Sequence, residues 1–221
     1  MRHFEERLNE LRLRLLEMGG LVESAVHLSV QALIEANVEL ARQVLANEPR
    51  INELEIQNDD LATGLLALEQ PVASDLRFIT AAIKINNNLE RMGDKAANIA
   101  ERSIALASEP AVTSLVDVAR LGRLVEPMVH QALDAFVRRD SALARTVLAS
   151  DDAVDDMRNR ISAEVIHRLE MDPRNARPWL DLLFVSRSLE RIGDHATNIA
   201  EDVVFMVDGV DVRHGHAVPT R

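Results

Sequence analysis

Apolar positions recur every three to four residues along most of this chain, the period of helices that each bury one face. That spacing predicts six long helices, over about Phe4–Ala36, Val38–Leu68, Pro71–Ala107, Ser114–Arg138, Ser141–Met171 and Pro173–Met206. Pro71 and Pro173 serve as helix openers, because a missing N–H costs nothing in a first turn. Gly19-Gly20 is expected to bend the first helix and Pro127 to kink the fourth. The stretch SEPAVTS around Pro110 breaks the pattern and divides the chain into residues 1–109 and 110–207. From 208 onward, DGVDVRHGHAVPTR has no helical period and reads as a disordered tail.

The two halves repeat one another. ERMGDKAANIAE (Glu90 to Glu101) returns as ERIGDHATNIAE (Glu190 to Glu201), with nine of twelve positions identical. ARQVLANE (Ala41 to Glu48) returns as ARTVLASD (Ala144 to Asp151), and the same offset of 103 carries Glu23 to Glu126 and His27 to His130. Two anchors in the same order indicate a duplication. Short connections make neighbouring helices antiparallel, so the predicted fold is all-α: a tandem pair of antiparallel three-helix bundles.

Composition sharpens this picture. Aromatic residues make up 3% of the chain, with one Trp and no Tyr, which disfavours a sandwich or barrel. A net charge of -11 argues against nucleic acid as a partner. With no cysteine there is no disulfide, thiolate metal site or cysteine nucleophile. The N-terminus is charged from its start, and no run approaches the ~20 apolar residues of a membrane span, so a soluble cytoplasmic protein is expected.

The repeated motif carries the candidate chemistry. At 100° per residue from Glu90, Asp94, Asn98 and Glu101 fall within about 80° of one another, opposite Leu89, Met92, Ala96, Ile99 and Ala100. In the second copy Glu190, Asp194, Asn198 and Glu201 oppose Leu189, Ile192, Ala196, Ile199 and Ala200 in the same way. Each helix therefore presents an outward acid stripe, with no lysine or arginine inside it. Like charges one turn apart destabilise a helix by a few tenths of a kcal/mol, and the mid-helix Gly93 and Gly193 cost about 1 kcal/mol each relative to alanine. A solvated face would account for one such stripe. Two copies suggest oxygen ligands for a hard cation, with room beside each glycine for something to approach. The second helix of each half offers further donors: Asp151 with Asp155, their counterparts Glu48 with Asn52, and Glu55 with Asp59.

Rival chemistry is thinner. Glu23 with His27 and Glu126 with His130 could extend a metal site or be ordinary exposed pairs. The one Glu-x-x-His, Glu164 to His167, falls short of the two that a ferritin-like di-iron site takes. His214 and His216 lie in the tail, and no phosphate loop or nucleophile motif is present.

At LERMGDKAANIAE, LERIGDHATNIAE, QPVASDLRFI (Gln70 to Ile79) and MGGLVESAV, the chain resembles the PhoU family of phosphate-transport accessory and regulatory proteins. The resemblance runs from about Phe4 to Gly209. It implies two three-helix bundles with surface metal clusters (iron, manganese, magnesium or zinc) held by E(D)xxxD motifs. Those fall here on Glu90 with Asp94, Glu190 with Asp194 and Asp151 with Asp155, while Glu48 with Asn52 departs by ending in Asn, which implies a first cluster that is weaker or differently occupied. Asp75 and Arg77 match the family's D-L-R; in the second half Arg177 is kept and Asn175 replaces the aspartate. The implied role is negative regulation of phosphate uptake. The implied mode is a non-enzymatic, homodimeric adaptor between the phosphate ABC transporter, on its ATPase side, and a sensor histidine kinase. A metal-dependent enzyme using the same carboxylates, or a helical adaptor needing no metal, are the alternatives.

Overall fold

The computed structural model describes residues 2–109 and 116–213, and no strand occurs among them. Helices α1 (Arg2–Ile34), α2 (Val38–Glu69) and α3 (Ala73–Leu106) form one bundle; α4 (Val116–Arg138), α5 (Ser141–Leu148), α6 (Asp151–Met171) and α7 (Ala176–Asp208) form the other. At 34 residues, α3 is about 50 Å long. The apolar faces lie where the periodicity put them: Leu89, Met92, Ala96, Ile99 and Ala100 are fully buried, as are Ile192, Ala196, Ile199 and Ala200. Burial of each large side chain contributes roughly 1.5–3 kcal/mol.

The predicted fifth helix is in fact two. At the break, Ser150 N reaches back only to Val147 O (3.0 Å), and Ser150 Oγ bonds Thr146 O (3.0 Å). A serine that bonds its own preceding turn competes with the helix ladder. Helix α6 restarts with Asp151 and Asp152 in its first turn, where the helix dipole favours acid. The first half has Asn47 where the second has Ser150, and Gln43 where it has Thr146; there α2 runs through unbroken.

Helix starts also shift. Gln70 takes a left-handed φ of 45° and Val72 is extended, so Pro71 sits in the connection and α3 begins at Ala73. Pro173 opens a 3-10 turn (Pro173–Asn175) ahead of α7. Residues 208–213, assigned to the tail from sequence, are instead placed on the bundle: α7 runs to Asp208, and Val212 packs partly buried against the core. His214 and His216 lie outside the described residues.

The duplication extends to the turns. Ala36 and Arg139 both adopt positive φ (50° and 52°). The next residue then caps a helix: Asn37 Oδ1 accepts from Glu39 N and Leu40 N, and Asp140 Oδ1 accepts from Leu143 N at 2.9 Å. Each cap contributes about 1 kcal/mol.

The bundles join through α3 against α7 and α1 against α4, across a pseudo-twofold axis. Contacts come in symmetric pairs. A Cβ on Gly19 would stand 3.0 Å from Leu133, and one on Gly122 would stand 2.7 Å from Val30. Gly19 therefore admits a neighbouring side chain, and α1 continues through both glycines without interruption. Gly20 has no such role: it is exposed, and an added Cβ would meet nothing within 4 Å. Gly20→Ala is expected to raise the unfolding free energy by about 0.5–1 kcal/mol, read as a higher urea midpoint.

Candidate metal centres

Each acid stripe faces the groove between its own helix and the middle helix of the same bundle. In the first half, Asn86 Nδ2 donates to Glu55 O at 2.8 Å, tying α2 to α3 one turn before Glu90. One turn further on, Ile51 packs against Gly93: a Cβ there would lie 3.2 Å from Ile51 Cδ1. In the second half, Val154 takes the place of Ile51 against Gly193, at 3.4 Å. The room beside each glycine is thus lined by a neighbouring apolar side chain; the approach is tight enough to account for Gly93, while at Gly193 a Cβ would make only ordinary van der Waals contact.

That packing half-buries the stripes. The side chains of Glu90 and Glu190 are 22% and 15% exposed, while Asn98 and Asn198 remain exposed. The stripes are also not free of arginine. Arg91 lies 3.3 Å from Glu90, and Arg191 lies 3.1 Å from Asp194. A helical wheel puts both arginines beside the stripe, but their length lets them reach over it. These i, i+3 and neighbour pairs are solvent-exposed at the arginine end and contribute under about 1 kcal/mol each.

The helix pairing gathers Glu48, Glu90 and Asp94 into one cluster, and Asp151, Asp155, Glu190 and Asp194 into another. Their electrostatics record the crowding. Burial raises the Glu48 carboxyl above its ordinary range, helped by Asp94 and Glu101. Glu90 is raised by burial, by Asp94 and by Glu55. Asp151 is raised by burial, then by Asp155, Asp152 and Glu190; Asp194 is raised by burial, then by Glu190 and Asp151. Asn52 and Asp155 sit exposed at the rim of their grooves. Glu55 and Glu101, both named from sequence as possible donors, act on the first cluster, and Arg158, in the second, is the one member that sequence reasoning missed. Carrying Glu55 forward by the 103-residue offset would have found Arg158.

Among the described residues, no three acid or imidazole side chains converge as placed on a single cation position. In kind, however, the donors fit a hard cation: all offer oxygen, and all but the exposed Asn52 and Asp155 are half-buried. A cation would relieve the repulsion among the carboxylates.

A family model described as the PhoU domain matches the chain twice, over residues 15–103 and 118–203. The chain belongs to the PhoU family. The phosphate-specific transport system accessory protein PhoU homolog of Pseudomonas aeruginosa is 43% identical to it over 212 residues, spanning 96% of this chain and 88% of its own length. The Aquifex aeolicus homolog is 38% identical over 216 residues, spanning 98% and 97%. The crystal structure of PhoU from Pseudomonas aeruginosa matches with a TM-score of 0.90 at 42% identity, covering 94% of this chain and all of its own. The phosphate transport system regulatory protein PhoU from Streptococcus pneumoniae gives 0.84 at 27%, covering 98% and 100%.

Other polar residues of this PhoU-family chain have structural partners. Each histidine of the Glu-x-x-x-His pairs crosses between bundles: His27 Nδ1 lies 3.1 Å from Glu126, and His130 Nδ1 lies 2.7 Å from Glu23. Glu164 pairs with Arg168 at 2.6 Å. Arg77 reaches Met206 O at 3.5 Å, linking α3 to the end of α7. His195 lies between the two signature motifs, with Nδ1 at 2.9 Å from Asn88 Oδ1. Burial, then Lys95 and Arg191, lower its pKa to about 4, so the ring is neutral near pH 7.

Proposed function

We propose that this chain is a non-enzymatic regulator of phosphate transport, acting at the cytoplasmic face of the phosphate ABC transporter. In phosphate plenty it restrains uptake and holds a sensor histidine kinase in its non-signalling state. The observation that carries this reading is similarity over 96% of the chain to a relative named as an accessory protein of the phosphate-specific transport system. Among the described residues, no helix is long and apolar enough to cross a membrane, which is consistent with a protein that reaches the transporter by docking. A second copy of the chain, the transporter's ATPase side and the kinase are the partners the family resemblance supplies.

In this reading the carboxylate grooves are metal sites. Glu48, Glu90 and Asp94, with Asn52 at the rim, would hold ions in the first bundle; Asp151, Asp155, Glu190 and Asp194 would do so in the second. A bound cation would supply positive charge that neutralises the grooves. The protein's own contribution is to fix two helices, through Ile51 on Gly93 and Val154 on Gly193, so that the donors stay together without one.

Deleting the gene is expected to switch on phosphate-starvation genes in high phosphate, measured by transcript level, with repression restored by the wild-type chain. Asp94→Ala/Asp194→Ala protein should show lower metal content by elemental analysis. Continued repression in a deletion strain lacking any second copy would overturn the regulatory reading. Unchanged metal content would overturn the site assignment alone.

A further inference from the structure

Aligning the two grooves residue by residue shows that they are not chemically equivalent. Four positions in each are half-buried and face the groove. In the first they are Glu48, Glu55, Glu90 and Asp94; in the second, at the same offsets, they are Asp151, Arg158, Glu190 and Asp194. The first groove thus holds four carboxylates, the second three carboxylates and a guanidinium. Arg158 is set into its groove: Nη2 lies 3.2 Å from Glu190 Oε1 and 4.0 Å from Asp155 Oδ1. Its Nε is buried with no hydrogen-bond partner. In the first groove, Glu55 is held beside α3 by the Asn86 bond to its carbonyl and adds to the repulsion on Glu90.

We infer that the two grooves divide the work: the first, with Glu55, is the principal metal site, and the second is partly neutralised by its own cation, Arg158. This reverses the ranking that Asn52 suggested. Asn52 replaces an acid only at the exposed rim, where its counterpart Asp155 is 53% exposed and well solvated. The exchange of Glu55 for Arg158 lies in the half-buried groove, where a charge is less screened and acts more strongly on its neighbours.

The inference rests on the metal reading above, and the test separates the two. Chelator-treated full-length protein is titrated with Mn²⁺ by calorimetry, and retained metal is measured after desalting, with helicity checked by circular dichroism. Asp94→Asn is expected to remove most of the tightly held Mn²⁺, and Asp194→Asn little of it. Glu55→Arg should weaken the remaining tight site by about tenfold or more, with the milder Glu55→Gln moving in the same direction. Arg158→Glu should create a second tight site. Equal losses from Asp94→Asn and Asp194→Asn, with no gain from Arg158→Glu, would overturn the division while leaving the metal reading intact. No Mn²⁺ binding by any variant, wild type included, would overturn both.

Discussion

Gly122→Leu is expected to lower the unfolding free energy by about 3 kcal/mol, the upper end of what overpacking costs. The ideal Cβ alone would lie 2.7 Å from Val30 Cγ1 and 3.2 Å from Val30 Cγ2, and Val30 is a stiff, buried, β-branched side chain that has nowhere to swing. A leucine must therefore push α1 and α4 apart, and those helices also carry the two His–Glu crossings. Helix propensity works the other way by about 1 kcal/mol, since leucine is a far better helix former than glycine. Packing wins because the clash is with an adjacent helix. Val30→Ala should recover part of the loss, so a double-mutant cycle in urea should show coupling of about 1 kcal/mol or more. Strict additivity would mean that the two residues do not meet. The pseudo-symmetric Gly19 faces Leu133 at 3.0 Å, a longer and more flexible neighbour, and should tolerate alanine better.

The second large effect concerns Asp202, a buried acid on α7 whose side chain is 8% exposed and whose carboxylate accepts from Lys84 Nζ at 3.0 Å. Lys84→Met strands that charge and also removes an ammonium 5.7 Å from the Phe205 ring. Breaking a fully buried pair costs 3–5 kcal/mol; Lys84 is itself 44% exposed, so water makes up part of the loss and about 2 kcal/mol is expected at neutral pH. The pH dependence has a definite sign. Burial already raises the Asp202 carboxyl against the opposing pull of Lys84, so it holds its proton more tightly folded than unfolded. Ionising it therefore costs stability above its unfolded pKa, and without Lys84 the cost grows. The gap between variant and wild type should narrow as pH falls through the folded pKa of Asp202. A gap of constant size from pH 7 downward would show that lost packing, and not stranded charge, dominates.

How much of this was legible beforehand depended on whether a feature is local. The helix period, the buried faces of α3 and α7 and the duplication follow from the order of residues alone, and the structure keeps them. The break before Asp151 does not: the apolar period runs straight through it, while the backbone tightens there to a bond from Ser150 N to Val147 O. Nor does the start of α3, where left-handed backbone at Gln70 and Ala73 overrides the usual reading of a helix-opening proline. The candidate carboxylates were visible as stripes on one helix. That Ile51 and Val154 would seat beneath them, and that Arg91 and Arg191 would bend over them, required the neighbouring helix and the real reach of an arginine. Glu55 sat in plain view as half of an i, i+4 pair with Asp59. Only its position against α3 shows that Glu55, half-buried, belongs to the groove, while Asp59 is exposed.

The crossings that join the bundles, Gly19 on Leu133 against Gly122 on Val30 and His27 on Glu126 against His130 on Glu23, are those of an isologous dimer whose two members happen to share one backbone. In a true dimer of single repeats, every substitution appears on both sides at once, and glutamate could not stand in one groove while arginine stood in the other. Covalent linkage lifts that obligation. The interface can stay symmetric, where symmetry builds the fold, while each groove takes on its own charge.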